Sequence, residues 1–341
     1  KRLPLGIQTF SEIINGNMLY VDKTDFIPKM TERYKYVFLS RPRRFGKSLF
    51  VSTLEEFFKG NKALFEGLNV LTSEPWSTYP VIRIDFSTIP NKTPEIFSNE
   101  LIFTLREIGL RYGVNINSDF PQRAIDLLVK GIREKYDKPI VILVDEYDKP
   151  IVDHLDKILT AEGNKTVLRD FFASIKGLDE HIKFMFITGV SKFSKVSLFS
   201  GMNQIVDISL NSDFSEIMGY TAKEIEVYFK DYLNGAIEDS GLQKDELIKS
   251  LAHWYNGYSW DGSSRVFNPF SVLNFFDSRK FDNFWFSSGT PSHLVKLFKQ
   301  NNFDLSLIEN AETRDSAFNT DDLSRISLLS ILFQTGYLFR C

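Results

Sequence analysis

The residues most able to do chemistry are Arg41-Pro42-Arg43-Arg44-Phe45-Gly46-Lys47-Ser48. They follow an apolar run, Tyr36-Val37-Phe38-Leu39, and open a helix-like run from Leu49 to Lys59. Strand, tight loop ending in Gly-Lys-Ser, then helix is the context of a phosphate-binding loop. Backbone N–H groups of such a loop wrap phosphates, and the helix N-terminus adds partial positive charge. Arg43, Arg44, Phe45, Gly46, Lys47, Ser48 and Leu49 are therefore candidate nucleotide-binding residues. Gly46 allows close backbone approach, Lys47 is expected to reach the β- and γ-phosphates, and Ser48 to hold Mg²⁺. The full pattern G-x-x-x-x-G-K-[ST] asks for glycine at the position held by Arg41, where a side chain makes a positive φ less comfortable. Arg41 is thus expected either to reshape the loop or to face the nucleotide or a partner.

A second constellation complements the first. Pro139 to Val144 is an apolar run ending in Asp145-Glu146. It reads as a buried parallel strand with carboxylates at its C-terminal edge, where open α/β sheets bind ligands. Asp145 is the candidate for the Mg²⁺ shell, as a Walker B aspartate, and Glu146 is placed to polarise an attacking water.

These groups need a sheet to position them. Val81–Phe86, Ile182–Gly189 and Gln204–Ser209 read as further strands, separated by helical stretches near 94–112, 121–136 and 166–177. Thr93 followed by Pro94 makes a good helix start. Strands alternating with such helices imply a parallel α/β sheet with right-handed crossovers, a three-layer core. An extra strand between the two motifs and a Glu after the Walker B Asp match the additional-strand catalytic-glutamate ATPases, which include the AAA+ group. In that group the fourth strand ends in a polar sensor beside the γ-phosphate. Thr188 is the candidate here, against the plainer reading that its hydroxyl serves local backbone.

With Tyr20-Val21-Asp22-Lys23-Thr24, Val144-Asp145-Glu146-Tyr147-Asp148-Lys149-Pro150, Thr188 to Ser194, Trp254 to Tyr258, Phe267 to Ser271 and Gln334 to Leu338, the chain resembles the bacterial AAA-ATPase-like family of P-loop proteins. In that family the loop resembles Arg-Pro-Arg-Arg-Phe-Gly-Lys-Ser itself, so Arg41 is a family feature. The resemblance implies ATP and Mg²⁺ as ligands and a bacterial setting, and the single Cys is consistent with a reducing cytoplasm. It also implies a restriction-endonuclease-like nuclease domain in many members, expected after Tyr337. The sequence accordingly reads as part of a longer protein. Neither Asp145/Glu146 nor Asp321/Asp322 sits in a strand–acid–x–Lys pattern, so nuclease activity is not assigned to these residues.

The aromatic N-terminal arm is a candidate for covering the base: Tyr20 or Phe10 could pack on it, and Lys23 could reach a phosphate or an acid. The plainer reading is that these residues cover the sheet edge. Alternation of strands and helices stops near Asn211-Ser212-Asp213, giving a core over 1–211 and a second, helical and winged-helix-like lid over 212–341. Its expected parts are a helix from Thr221 to Leu233 with a capping box, a helix near 243–254, a hairpin-like piece from Gly257 to Phe267, and a helix from Asn268-Pro269 to about Phe276. In related signal-transducing ATPases a proline of this lid packs near the base, and the similarity makes Pro269 the candidate; its place at a helix start already explains it well.

Composition narrows the remaining classes. A net charge of −3 argues against non-specific coating of nucleic acid. Residues 1–59 nevertheless carry 11 Lys/Arg against 6 Asp/Glu, an excess of +5 concentrated in the loop, so Arg43 and Arg44 could also touch a nucleic-acid backbone. The 32 Phe predict an aromatic core. The single Cys excludes an internal disulfide, and no apolar run approaches the ~18 residues of a membrane span. His154, His181, His253 and His293 lack metal-ligand spacing; His253 reads as a packed core residue or as a nucleotide sensor. Lys192, Lys195 or, from a neighbouring copy in a homo-oligomer, Arg169 could offset charge at the γ-phosphate, against simple solvation as surface cations. Two functions remain: an ATP-hydrolysing switch that regulates a C-terminal effector, or a nucleotide-binding regulatory or scaffold module without significant turnover, with the lid as a possible nucleic-acid contact.

Overall fold

A computed structural model describes residues 1–72, 76–192, 198–199, 202, 204–289 and 328–337. In chain order the core elements are α1 (Phe10–Asn15), α2 (Phe26–Thr31), β1 (Tyr36–Ser40), α3 (Lys47–Phe58), β2 (Val81–Asp85), α4 (Pro94–Tyr112), α5 (Pro121–Tyr136), β3 (Ile140–Asp145), α6 (Lys149–Val152), α7 (Ile158–Lys176), β4 (Ile182–Gly189) and β5 (Val206–Asp207). The five strands form one sheet in the order β2-β3-β4-β1-β5, and every neighbouring pair is parallel. β4 therefore lies between β1, which feeds the Gly-Lys-Ser loop, and β3, which ends in Asp145.

Strand alternation sends successive side chains to opposite faces, and both faces are apolar because both are covered. Phe38, Ile142, Val144, Met185 and Ile187 pack beneath α4, α5 and α7. Val37, Leu39, Val141, Leu143 and Phe186 pack against the arm helices and α3. The result is the three-layer α/β core expected from the sequence. Its interior is aromatic: Phe38 meets Tyr147 edge-on at 5.4 Å, and Phe58 stacks on Phe184 at 5.4 Å.

Helix starts follow the local signals. Thr93 accepts from the Ile96 N–H with Pro94 at the first turn of α4, and the Thr221/Glu224 capping box is complete. Several expectations change. β5 shrinks to two residues, and α7 begins at Ile158 rather than near 166. The helix expected from Thr221 to Leu233 breaks at Phe229, whose φ of −104° and ψ of 19° separate Ala222–Tyr228 from Lys230–Ser240. Phe229 is fully buried and stacks on Phe276 at 5.1 Å, so tertiary packing sets this break.

Beyond β5 the described chain is mainly helical, with Lys244–Tyr255, Pro269–Ser278, Phe284–Gly289 and Leu328–Thr335. The hairpin expected over Gly257–Phe267 is reduced to an isolated antiparallel bridge, Tyr258 to Val266, with a second bridge joining Phe267 to Tyr220. Leu19 and Val21 of the N-terminal arm share a core cluster with the helices Ala222–Tyr228, Lys230–Ser240, Lys244–Tyr255 and Pro269–Ser278. No described helix is long and apolar enough to cross a membrane. Lys195, His293, Asp321, Asp322 and Cys341 lie outside the described residues.

Candidate functional site

Parallel pairing aligns the ends of β1, β3 and β4 on one edge of the sheet, and the loops leaving that edge supply the site. The loop after β1 turns through two left-handed residues, Arg44 at φ 66° and Gly46 at φ 86°. The first glycine position of the motif does not need a positive φ here: the strained residue is Arg44, three residues later. Lys47 opens α3 directly after Gly46, so the first N–H groups of that helix face the loop.

A cavity of about 430 Å³ lies in front of this loop. Arg43, Arg44, Phe45, Gly46, Lys47, Ser48 and Leu49 line it, as do Glu146 and Pro269. The sheet and the helices beyond it thus bring nearly all the candidate binding residues to one space. Its lining mixes charged groups, the loop cations with Lys23, Lys149 and Glu146, with apolar walls from Ile13, Leu19, Val21, Met218, Phe270 and Leu273.

Lys47 is buried, and its ammonium donates to the carbonyls of Arg41 and Pro42 at 3.1 and 3.0 Å. Burial lowers its pKa, while Glu146, Asp145 and Asp148 work the other way. Asp145 is completely buried at the end of β3, and neither carboxylate oxygen has a hydrogen-bond partner among the described residues. Burial pushes its carboxyl above the usual range, opposed by the nearby Ser48 hydroxyl and Lys47. Two unpartnered carboxylate oxygens beside a serine hydroxyl form an oxygen donor set of the kind Mg²⁺ takes; Asp145 and Ser48 fit that ion. Glu146 sits at φ 50°, a left-handed position costly for a residue with a side chain. Its carboxyl is also raised by burial, with Lys47 opposing.

Other candidates are placed elsewhere. Thr188 is fully buried, its hydroxyl donates to the Leu39 carbonyl at 2.8 Å, and it does not line the cavity. Phe45 reaches the cavity wall but anchors the loop, packing on Tyr258 and Trp260 at 4.6 and 5.9 Å. Arg41 turns away from the cavity. It is buried, donates to the carbonyls of Ser40, Ser209 and Phe214, and lies 4.4 Å from the Trp260 ring centre. Burial pushes its guanidinium down to about 9. The expectation that Arg41 faces the nucleotide is thus replaced by an inward-pointing anchor. Lys192 pairs with Asp207 at 3.2 Å, and Arg169 lies beside Asp170 on an exposed face; neither lines the cavity. His253 is exposed rather than packed in a core.

In the arm, Phe10 is buried against Tyr20 and Phe65, whereas Tyr20 lines the cavity with its hydroxyl 3.4 Å from that of Thr53. Lys23 reaches an acid: it pairs with Glu224 at 2.6 Å and donates to the Glu216 carbonyl. Sequence reasoning passed over Lys149, Phe270 and Tyr220 as cavity residues. Lys149 stands four residues after Asp145 and Phe270 next to Pro269, which were the available signals; nothing local marks Tyr220.

The profile described as Predicted AAA-ATPase matches residues 4–199. The chain is also 39% identical over 342 residues to an uncharacterized protein in the vnfD 5′ region of Azotobacter chroococcum mcd 1; the match covers 99% of this chain. It spans 64% of that relative's length. A cavity bounded by a Gly-Lys-Ser loop and by Glu146, directly after β3, agrees with the profile match, and the chain belongs to the predicted AAA-ATPase family.

Proposed function

We propose that this chain binds ATP with Mg²⁺ in the cavity before the Gly46-Lys47-Ser48 loop and hydrolyses it. The observation that carries this reading is the meeting of Lys47, Ser48 and Glu146, from the loops after β1 and β3 at one edge of the sheet, on one cavity, with a buried Asp145 that lacks a hydrogen-bond partner among the described residues next to Glu146. The phosphates lie along the loop, held by its N–H groups, by Lys47 and by Arg43 and Arg44. The base lies against apolar walls, those of Pro269, Phe270 and the arm. Asp145 and Ser48 would hold Mg²⁺, which when bound would offset the negative charge of the phosphates. Glu146 accepts a hydrogen bond from the attacking water and orients it.

Fluorescent-nucleotide titration together with phosphate-release kinetics tests the reading. The wild type is expected to bind and turn over ATP. Lys47→Ala is expected to lose both. Glu146→Gln is expected to keep binding and lose about 100-fold or more in kcat. Binding without turnover in the wild type would support the regulatory module instead, and no binding would overturn the phosphate-loop reading.

A further inference from the structure

A side chain from far beyond the α/β core holds one carbonyl of the loop after β1. The Trp285 indole N–H donates to the Arg43 carbonyl at 3.0 Å. Trp285 is buried, and its ring meets Tyr337 edge-on at 4.9 Å. Tyr337 in turn packs against the core cluster beneath α4, α5 and α7. The preceding residue, Phe284, joins the helical cluster, 6.3 Å from the Tyr255 ring centre. Two neighbouring side chains of the helix Phe284–Gly289 thus tie the helical region to a single peptide of the loop.

A trans peptide carries its C=O and N–H on opposite sides. Arg43 and Arg44 line the cavity, whereas Trp285 does not. The Arg43 carbonyl is therefore turned away from the cavity, and the Arg44 N–H of the same peptide lies on the cavity side. This orientation is strained, because it holds Arg44 at φ 66°, where a side chain is disfavoured. Flipping the peptide would carry that φ to the ordinary negative side. It would also aim the carbonyl oxygen at the cavity, where it repels phosphate.

We propose that Trp285 is a positioning residue that holds the Arg43-Arg44 peptide in its strained orientation, so that the Arg44 N–H serves the phosphates. The inference rests on the nucleotide reading of the cavity. Left-handed residues in a loop turn neighbouring N–H groups to one concave side, an anion nest. An indole suits the role because it has one donor and no acceptor. It bonds the carbonyl of the present peptide and opposes the flipped one, whose N–H would meet its own. Trp285 lies outside the profile-matched residues 4–199, so the helical region contributes to the phosphate site.

The test is isothermal titration calorimetry on the full chain, with ATP and Mg²⁺ and with inorganic tripolyphosphate as a probe of the phosphates alone. Trp285→Phe keeps a ring against Tyr337 and removes the N–H. It is expected to weaken both ligands by about fivefold, the worth of one neutral hydrogen bond. In an Arg44→Gly background, where a left-handed φ carries no steric penalty, the same change is expected to cost about twofold or less. Equal affinities in wild type and Trp285→Phe overturn the role of Trp285 alone. Equal losses in both backgrounds also overturn it, since they mark a packing effect that ignores the peptide's orientation. A wild type that binds neither ligand overturns the nucleotide reading and this role with it. Should Trp285→Phe fail to fold, Tyr337→Ala decides: it frees the indole from its brace and is expected to weaken both ligands by about twofold or more, and unchanged affinities overturn the proposal.

Discussion

Asp148 clamps the end of the neighbouring strand β4: its carboxylate accepts from the Ser191 N–H at 2.7 Å and from the Ser191 hydroxyl at 2.6 Å. The Val190 N–H also donates to it, and Tyr147 donates its hydroxyl hydrogen to the Ser191 carbonyl. These bonds fix the turn that holds Glu146 in its left-handed conformation. Gly189 completes the clamp, since a Cβ there would meet Asp148 Oδ1 at 2.4 Å and the Tyr147 ring at 2.6 Å.

Asp148→Ala leaves buried N–H groups of Val190 and Ser191 without their acceptor. The expected loss is about 3 kcal/mol of folding stability, read from urea denaturation. Gly189→Ala is expected to destabilise as well, and to lower turnover by displacing Glu146.

Asp145 predicts a pH-dependent gain on neutralisation. Its carboxyl is raised by burial, so the folded chain binds this proton more tightly than the unfolded chain does. The stability contribution is then fully present below the ordinary carboxyl pKa and is lost as pH rises through the higher folded value. Asp145→Asn is expected to raise Tm of the ligand-free protein by ~2–4 °C at neutral pH. The difference should shrink as pH falls toward about 4. Differential scanning calorimetry over that range, together with loss of Mg²⁺-dependent nucleotide binding, checks it.

Glu146 predicts the acid limb of turnover. A residue that orients water by accepting its hydrogen must be ionised, and burial raises this carboxyl. The rate is therefore expected to fall on acidification with a midpoint above the ordinary Glu value of about 4.3. A kcat profile that is flat through that region would remove Glu146 from the role.

Arg44 and Gly46 carry opposite predictions within one loop. Arg44 holds φ 66° and lies 5.0 Å from the Phe270 ring centre. Arg44→Gly is expected to gain ~1 kcal/mol of stability from relieved strain while weakening nucleotide binding. Gly46→Ala meets no atom within 4 Å, yet stands at φ 86°. It is expected to cost about 1 kcal/mol through backbone conformation alone. Thermal melts and nucleotide titration of both variants check the pair.

Lys23 and Glu224 join the N-terminal arm to the helix Ala222–Tyr228 across an ion pair whose side chains are 10% and 20% exposed. Lys23→Met leaves Glu224 without its cation. The expected cost is about 3 kcal/mol, seen as a lower urea midpoint, with arm cleavage by protease increased.

The sequence alone determined the features that short-range physics controls. Apolar runs define β1, β3 and β4; Thr93 and the Thr221/Glu224 pair mark helix starts; Gly46-Lys47-Ser48 and Asp145-Glu146 are legible as candidates because strand, loop and helix are contiguous in the chain. Tertiary structure decided what depends on which distant groups meet. Arg41 turns inward because carbonyls of Ser209 and Phe214 and the Trp260 face wait there, and none of these is near it in sequence. Lys192 is diverted to Asp207, and Thr188 to the Leu39 carbonyl, because β4 is inserted between β1 and β3. The same strand order brings Glu146 to Lys47, while the arm and Pro269 close the cavity over them. Periodicity and capping specify an element and its exposed face, whereas a side chain's partner is fixed only when long-range packing chooses among many acceptors of similar energy.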